Sequence, residues 1–118
     1  MTQKLIIHGK LPSYNLFYGG VHWSKRKALA DEWHKMVFYE CKNQKIKPIR
    51  NPVFLEFDIK FSGSGDADNF CLKVLIDGLV KAEILRGDDY RFVRSYMVNL
   101  EKVKDFERII IRLIELEL

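Results

Sequence analysis

Two pairs of aspartates in one stretch, residues 65–89, are the part of this sequence best suited to chemistry. Asp66 and Asp68 lie two residues apart, and the pair Asp88 and Asp89 ends the stretch. In an extended backbone, side chains at i and i+2 point to the same side, so the first two carboxylates can reach one cation. Clustered carboxylates repel one another unless a positive charge lies among them. The spacing predicts a divalent metal site, most simply for Mg²⁺, or for Mn²⁺ in its place.

A metal held in this way favours hydrolysis of a phosphodiester. Mg²⁺ usually takes one or two protein carboxylates and keeps positions for water and a phosphate. The ion can then lower the pKa of the bound water and stabilise the leaving oxygen. Asp88 and Asp89 offer a third carboxylate from another loop. The alternative is that both acidic clusters are solvated turns, with Asp68 only capping the next helix. An EF-hand loop is excluded, because Cys71 stands where its glycine is required.

A lysine follows the first acidic pair on a predicted helix. Asn69, Lys73, Asp77 and Lys81 recur at four-residue steps and therefore share one helix face. Lys73 falls in the first turn or so, where its ammonium can lean over the Asp66 and Asp68 site and contact a phosphate. The alternative is a surface ladder of ion pairs from Lys73 through Asp77 to Lys81.

A basic corner precedes the first predicted helix. His22, Lys25, Arg26 and Lys27 cluster around a start that Ser24 can cap. Cations at this end oppose the helix dipole, and a bound phosphate would reverse the sign of that cost. We therefore expect contacts to a DNA backbone here, which position the nucleic acid without reading its sequence; the alternative is a solvated face. Four aromatic residues nearby either stack on unpaired bases or pack on the core: Tyr14, Phe17, Tyr18 and Trp23.

The elements that must position these groups follow the order β-α-β-α-β-β. We expect strands at 5–9, 53–61, 91–100 and 106–116, and helices at 25–43 and 69–82. The stretch 53–61 alternates apolar and polar residues most clearly. The last two strands are expected to form a hairpin through Glu101–Asp105. The fold class is α+β, an α/β sandwich of a mixed sheet of about four strands with two helices.

Composition limits the class of protein. A chain of 118 residues predicts a single domain spanning 1–118. The net charge of +4 fits a polyanionic partner. No apolar run approaches the roughly 20 residues that span a bilayer, and the N-terminal apolar run is too short for a secretory signal. Cys41 and Cys71 show no metal or redox spacing and predict reduced thiols in a cytoplasmic protein. His8 and His34 are expected at the surface, without a functional role.

The motifs also form an ordered series: Asp66-x-Asp68-Asn69, Lys73, Asp77-Gly78-Leu79 and then Asp88-Asp89. Pro12-Ser13-x-Asn15 and His22-x-Ser24 precede them, before a long helix. This series resembles the RusA-like Holliday junction resolvases from about Leu11 to the last strand. In that family the lysine usually lies one residue closer to the asparagine, and Gly87 here lengthens the stretch before the acidic pair.

The resemblance implies a homodimeric, Mg²⁺-dependent endonuclease that cuts two symmetric strands of a four-way DNA junction in recombination and repair, often carried by phages or prophages. Asp66 and Asp68 match the family's metal-binding pair, and Asp89, with Asp88 beside it, matches the third catalytic carboxylate. Lys73 matches the family's lysine. Asn15 and Asn69 join the basic corner as DNA-contacting residues. Two other functions stay open: a non-catalytic nucleic-acid-binding module on the same fold, and a small structural domain with acidic turns.

Overall fold

The computed structural model describes residues 1–12, 22–63 and 70–117. Within these residues the elements follow the predicted order, β-α-β-α-β-β. The strands are β1 (Thr2–His8), β2 (Val53–Phe61), β3 (Val93–Lys102) and β4 (Arg108–Glu115), and the helices are α1 (Trp23–Asn43) and α2 (Leu72–Lys81). The α+β class, with a mixed four-stranded sheet and two helices, is confirmed.

The strand order in the sheet is β1-β4-β2-β3. β4 lies antiparallel to both β1 and β2, and β3 lies parallel to β2. The predicted hairpin between the last two strands is therefore wrong. Its physical reason lies in burial: Ile109, Ile110 and Ile111 are all buried, and such a run suits a central strand. Most residues of β3 are exposed or half-buried, which suits an edge.

One face of the sheet carries both helices. Every second residue of β2, from Val53 to Phe61, is buried there, as the alternation predicted. α1 buries Trp33, Val37 and Cys41 against this face, and α2 buries residues that include Leu75 and Leu79. All of these residues belong to one core cluster. Neither helix is long and apolar enough to cross a membrane.

Both helices begin at residues other than those predicted. α1 begins at Trp23, and its N-cap is His22 rather than Ser24. The imidazole Nδ1 of His22 accepts a hydrogen bond from the Ser24 backbone N–H at 3.2 Å, which satisfies a free donor of the first turn. α2 begins at Leu72, so Phe70 and Cys71, predicted to be helical, precede it.

The two ends of β2 define two ends of the sheet. At the carboxyl end, where β2 finishes, the ring of Phe61 lies 5.3 Å from that of Phe70. The Cys71 backbone N–H there donates to the Pro12 carbonyl at 3.0 Å. At the amino end, where β2 begins, the Val53 N–H donates to the Phe92 carbonyl at 2.8 Å. β2 has nine residues, and a strand rises about 3.3 Å per residue, so the two ends lie roughly 26 Å apart.

Candidate functional site

The predicted metal ligands lie in a segment whose flanks are at the carboxyl end of the sheet. Asp66, Asp68 and Asn69 themselves lie outside the described residues, as does Asn15. The segment leaves the sheet just after β2, at Gly63, and rejoins the described chain at Phe70, beside Phe61. Ligand sites in open α/β sheets commonly lie at the carboxyl ends of strands.

A second lysine lies where that segment begins. Gly63 has φ +84°, a left-handed conformation that favours glycine, and the chain turns away from β2 there. A Cβ added at Gly63 would lie 3.9 Å from the ammonium of Lys10. Sequence reasoning missed Lys10, because it follows β1 and only the pairing of β1 with β4 brings it to this end. The ammonium adds a positive charge beside the flank of the acidic segment.

Lys73 lies in the first turn of α2, as predicted. Its ammonium contacts both carboxylate oxygens of Asp77, at 3.0 and 3.3 Å. Part of the surface ladder expected as an alternative is therefore present. Lys73 is exposed at the carboxyl end of the sheet, so the same ammonium is also accessible to a phosphate.

The second acidic pair lies at the amino end of the sheet. The carbonyl of Asp89 accepts from the N–H groups of Phe92 and Val93, which forms the turn that starts β3. The carboxylate of Asp89 accepts from the backbone N–H of Arg91 at 2.9 Å and from its guanidinium Nη2 at 2.8 Å. These hydrogen bonds from Arg91 lower the pKa of Asp89 below its usual range. Asp88 is exposed.

The described residues do not bring the two acidic clusters together within one copy. The flanks of the first cluster lie at the carboxyl end, whereas Asp88 and Asp89 lie at the amino end. The reason is topological: β2 and β3 are parallel, so the chain must return along α2 before β3 can begin. Across residues 1–12, 22–63 and 70–117, no group of three or more His, Cys, Asp or Glu could hold a metal ion.

The basic corner forms the exposed start of α1. The first turn contains no acidic residue, and Lys27 pairs with Asp31 at 3.1 Å. Lys25 is exposed and Arg26 is half-buried. The indole of Trp23 is 63% exposed, with its ring centroid 5.8 Å from that of the capping His22. This corner can present cations and one stacking surface to a polyanion, although His22 acts as a helix cap.

Two grooves are lined by other residues of the described chain. One, of about 430 Å³, lies at the amino end and is lined by Pro48, Ile49, Arg50, Glu83 and Arg86. The other, of about 400 Å³, lies on the sheet face opposite the helices. There the guanidinium of Arg112 pairs with Glu56 and Asp58. Burial raises the pKa of Asp58, but hydrogen bonds from Arg112 and Asn99 outweigh it, so the net shift is downward.

Comparison with known proteins adds little to this geometry. No protein-family model matches the chain, and no curated protein matches it. Among solved structures, the crystal structure of the hydrogenase maturation protein HypE in complex with ATP aligns with 98% of this chain at 16% identity and a TM-score of 0.27. The chain spans 31% of that protein. A TM-score this low carries no argument about fold or function.

Proposed function

We propose that the chain is a metal-dependent endonuclease that cuts branched DNA, with the four-way junction as its substrate, in cytoplasmic recombination and repair. The ordered series of motifs is the observation that carries the proposal. The structure supports it at one point: the flanks of Asp66-x-Asp68-Asn69, the first turn of α2 with Lys73, and Lys10 share the carboxyl end of the sheet.

The residues of this end have complementary roles in the proposal. Asp66 and Asp68 offer hard oxygen donors, the chemistry that suits Mg²⁺ and Mn²⁺. A bound Mg²⁺ would supply an activated water and stabilise the leaving oxygen. Lys73 and Lys10 offset the negative charge of the substrate, while the basic corner of α1 holds the DNA backbone.

A homodimer is part of the proposal, because a four-way junction presents two symmetric strands to be cut. Within one copy, Asp88 and Asp89 lie at the amino end of the sheet, roughly 26 Å from the flanks of the first cluster along β2. In this proposal the third carboxylate comes from the partner copy, which a two-fold axis can bring to the carboxyl end.

The test is a nicking assay on a synthetic four-way junction, with and without Mg²⁺. We expect Asp68→Asn to abolish nicking while junction binding persists or tightens, because a negative charge that repels DNA is removed. Asp105→Asn is the matched control: it removes the same charge from an exposed residue in the β3–β4 connection. Normal cutting by Asp68→Asn would show that the metal assignment is wrong.

One observation favours a second candidate, a non-catalytic nucleic-acid-binding module. Arg91 contacts both carboxylate oxygens of Asp89, so this carboxylate is already neutralised in the single copy. A module of this kind would bind the junction but produce no metal-dependent nick. A protein that fails to bind the junction at moderate salt would instead be a structural domain with acidic turns.

A further inference from the structure

The outer side of β3 is an open strand edge. β3 extends over ten residues and, within the described part of the chain, pairs only with β2. The register shifts near its start, where Val93 and Ser95 pair with the consecutive residues Val53 and Phe54 of β2. The remaining register is regular to Lys102. Proteins usually protect a long edge by proline, bulges or a covering element, because unpaired main-chain groups template further pairing. From Ser95 to Lys102, β3 contains no proline and no bulge.

The opposite edge of the same sheet, along β1, is partly covered. The side-chain amide of Gln44, just after α1, accepts from the Ile6 N–H at 2.9 Å and donates to the Ile6 carbonyl at 2.7 Å. The amide of Gln3 makes the equivalent pair with the backbone of Lys47, at 2.7 and 2.9 Å. Gln44 thus satisfies the main-chain groups of Ile6 in β1, and Gln3 holds the segment after α1 beside the same strand. The contrast between the two edges marks β3 as the one available for pairing.

We propose that β3 pairs antiparallel with β3 of a second copy, which extends the sheet to eight strands across a two-fold axis. That a dimer is needed rests on the proposed function. The new inference is the surface through which the two copies associate. When two copies of one strand pair antiparallel, the two-fold axis is normal to the sheet. Each residue then lies opposite a residue of the partner subunit whose side chain is on the same face of the sheet.

The side chains select a register. With Met97 on the axis, Tyr96 lies opposite Val98 of the partner subunit, and Ser95 lies opposite Asn99 of the partner subunit. An aromatic residue beside a β-branched one and two polar residues are both favourable cross-strand pairs. With Val98 on the axis instead, Arg94 would face Lys102 of the partner subunit, and like charges directly opposite are destabilising.

This pairing would also cover apolar surface that the single copy exposes. Tyr96 is 58% exposed and Met97 is 44% exposed, although the Tyr96 ring already lies against Phe57, 6.4 Å between centroids. Apolar area removed from water contributes about 25 cal/mol per Å², so burial of these two side chains favours association.

The pairing would bring the second acidic cluster to the end of β2, which is the described flank of the first cluster. The partner's β3 begins opposite the end of β3 in the first copy, and Val103, just after that end, donates to the Phe61 carbonyl at 2.8 Å. The partner's acidic turn then lies about two strand spacings, or roughly 10 Å, from the end of β2. The distance within one copy is roughly 26 Å.

Sedimentation of the metal-free protein without DNA tests the interface. Met97→Lys places two ammonium groups across the axis, so we expect a dimeric wild type and a monomeric variant with unchanged circular dichroism. Tyr39→Lys is the control: it adds the same charge at a 61% exposed aromatic residue on α1. A monomeric wild type, or a dimer that Tyr39→Lys breaks and Met97→Lys does not, would overturn the proposal.

Cross-linking tests the register. We expect Met97→Cys to form a disulfide-linked dimer on mild oxidation, because the two introduced thiols would lie across the axis. Glu101→Cys on the same strand should not, since its two copies would be eight residues apart along the strands, roughly 26 Å. The native Cys41 and Cys71 are buried and do not compete. Equal cross-linking of both variants would overturn the register.

The proposed interface and the proposed function can be refuted independently. If Met97→Lys is monomeric and the wild type never nicks a junction, the interface stands and the nuclease does not. If the wild type nicks a junction and Met97→Lys remains a dimer, the nuclease stands and this interface does not.

Discussion

Arg91 and Asp89 illustrate how a local contact changes the meaning of a sequence motif. Two adjacent aspartates predict a metal ligand, and nothing in the motif indicates that a guanidinium two residues later takes both oxygens of Asp89. The backbone carbonyl of the same residue accepts the hydrogen bonds of the turn that starts β3. The third-ligand assignment between Asp88 and Asp89 therefore stays a prediction. Both side chains are exposed, and Asp89 is the one that is paired with Arg91.

His34 is a residue that sequence reasoning placed wrongly. It was expected at the helix surface, but both of its ring nitrogens are buried without a hydrogen-bond partner. Burial lowers the pKa of His34, and Lys81 of α2 lowers it further. Asp77 and Asp31 act in the opposite direction, and Lys73 adds a smaller lowering. The helical period alone cannot reveal this, because it does not specify where α2 crosses α1.

The lowered pKa of His34 predicts a loss of stability in acid. The folded state binds this proton less readily than the unfolded state, so the contribution is fully present above the ordinary histidine pKa of about 6.5. It is lost as pH falls through the lower folded pKa. We expect the free energy of unfolding, measured by urea titration, to fall over that window.

His34→Gln should flatten this dependence, and His8→Gln, at the exposed end of β1, should leave it unchanged. Equal pH dependence in the wild type and in His34→Gln would show that other groups cause the loss.

At the scale of the elements, local sequence patterns predicted the type and chain order of the helices and strands, but not the order of the strands in the sheet. The alternation at 53–61 gave the bounds of β2 and its buried face, because a half-buried strand must alternate. On α1, the buried residues Trp33, Val37 and Cys41 recur every fourth residue, as one face of a helix requires. The hairpin was wrong because adjacency in sequence carries no information about burial, which here places β4 at the centre of the sheet.

The contact between the helices gives a second prediction. A Cβ at Gly78 would lie 3.0 Å from the Cβ of Val37, closer than most real contacts allow. We expect Gly78→Ala to lower the free energy of unfolding by about 1–3 kcal/mol, the usual cost of overpacking. Val37→Ala removes the two methyl carbons that a Cβ at Gly78 would also meet, Cγ2 at 3.0 Å and Cγ1 at 3.3 Å, and creates a small cavity by itself.

A double-mutant cycle in urea separates the two effects. The double variant should lose less stability than the sum of the two single losses, since Val37→Ala removes two of the three close atoms and the new methyl group fills part of the cavity. Strict additivity would mean that α1 and α2 do not pack closely at this point.

At the scale of the whole molecule, the sequence indicated a dimer only through a family resemblance. The structure adds one observation: the described flanks of the first acidic cluster lie at one end of β2, and Asp88 and Asp89 lie at the other. No local pattern could predict this, since it depends on the strand order. The partly covered edge at Gln44 and the open edge at β3 depend on the same order.

A mixed dimer tests whether each site draws on both copies. One subunit carries Asp68→Asn, and the other, with a different affinity tag, carries both Asp88→Asn and Asp89→Asn. If the partner completes each site, one site of the mixed dimer contains both substitutions and the other contains neither. We expect the purified mixed dimer to nick one strand of a four-way junction, while each mutant homodimer nicks none. If every carboxylate came from a single copy, both sites of the mixed dimer would be impaired and no nick would form.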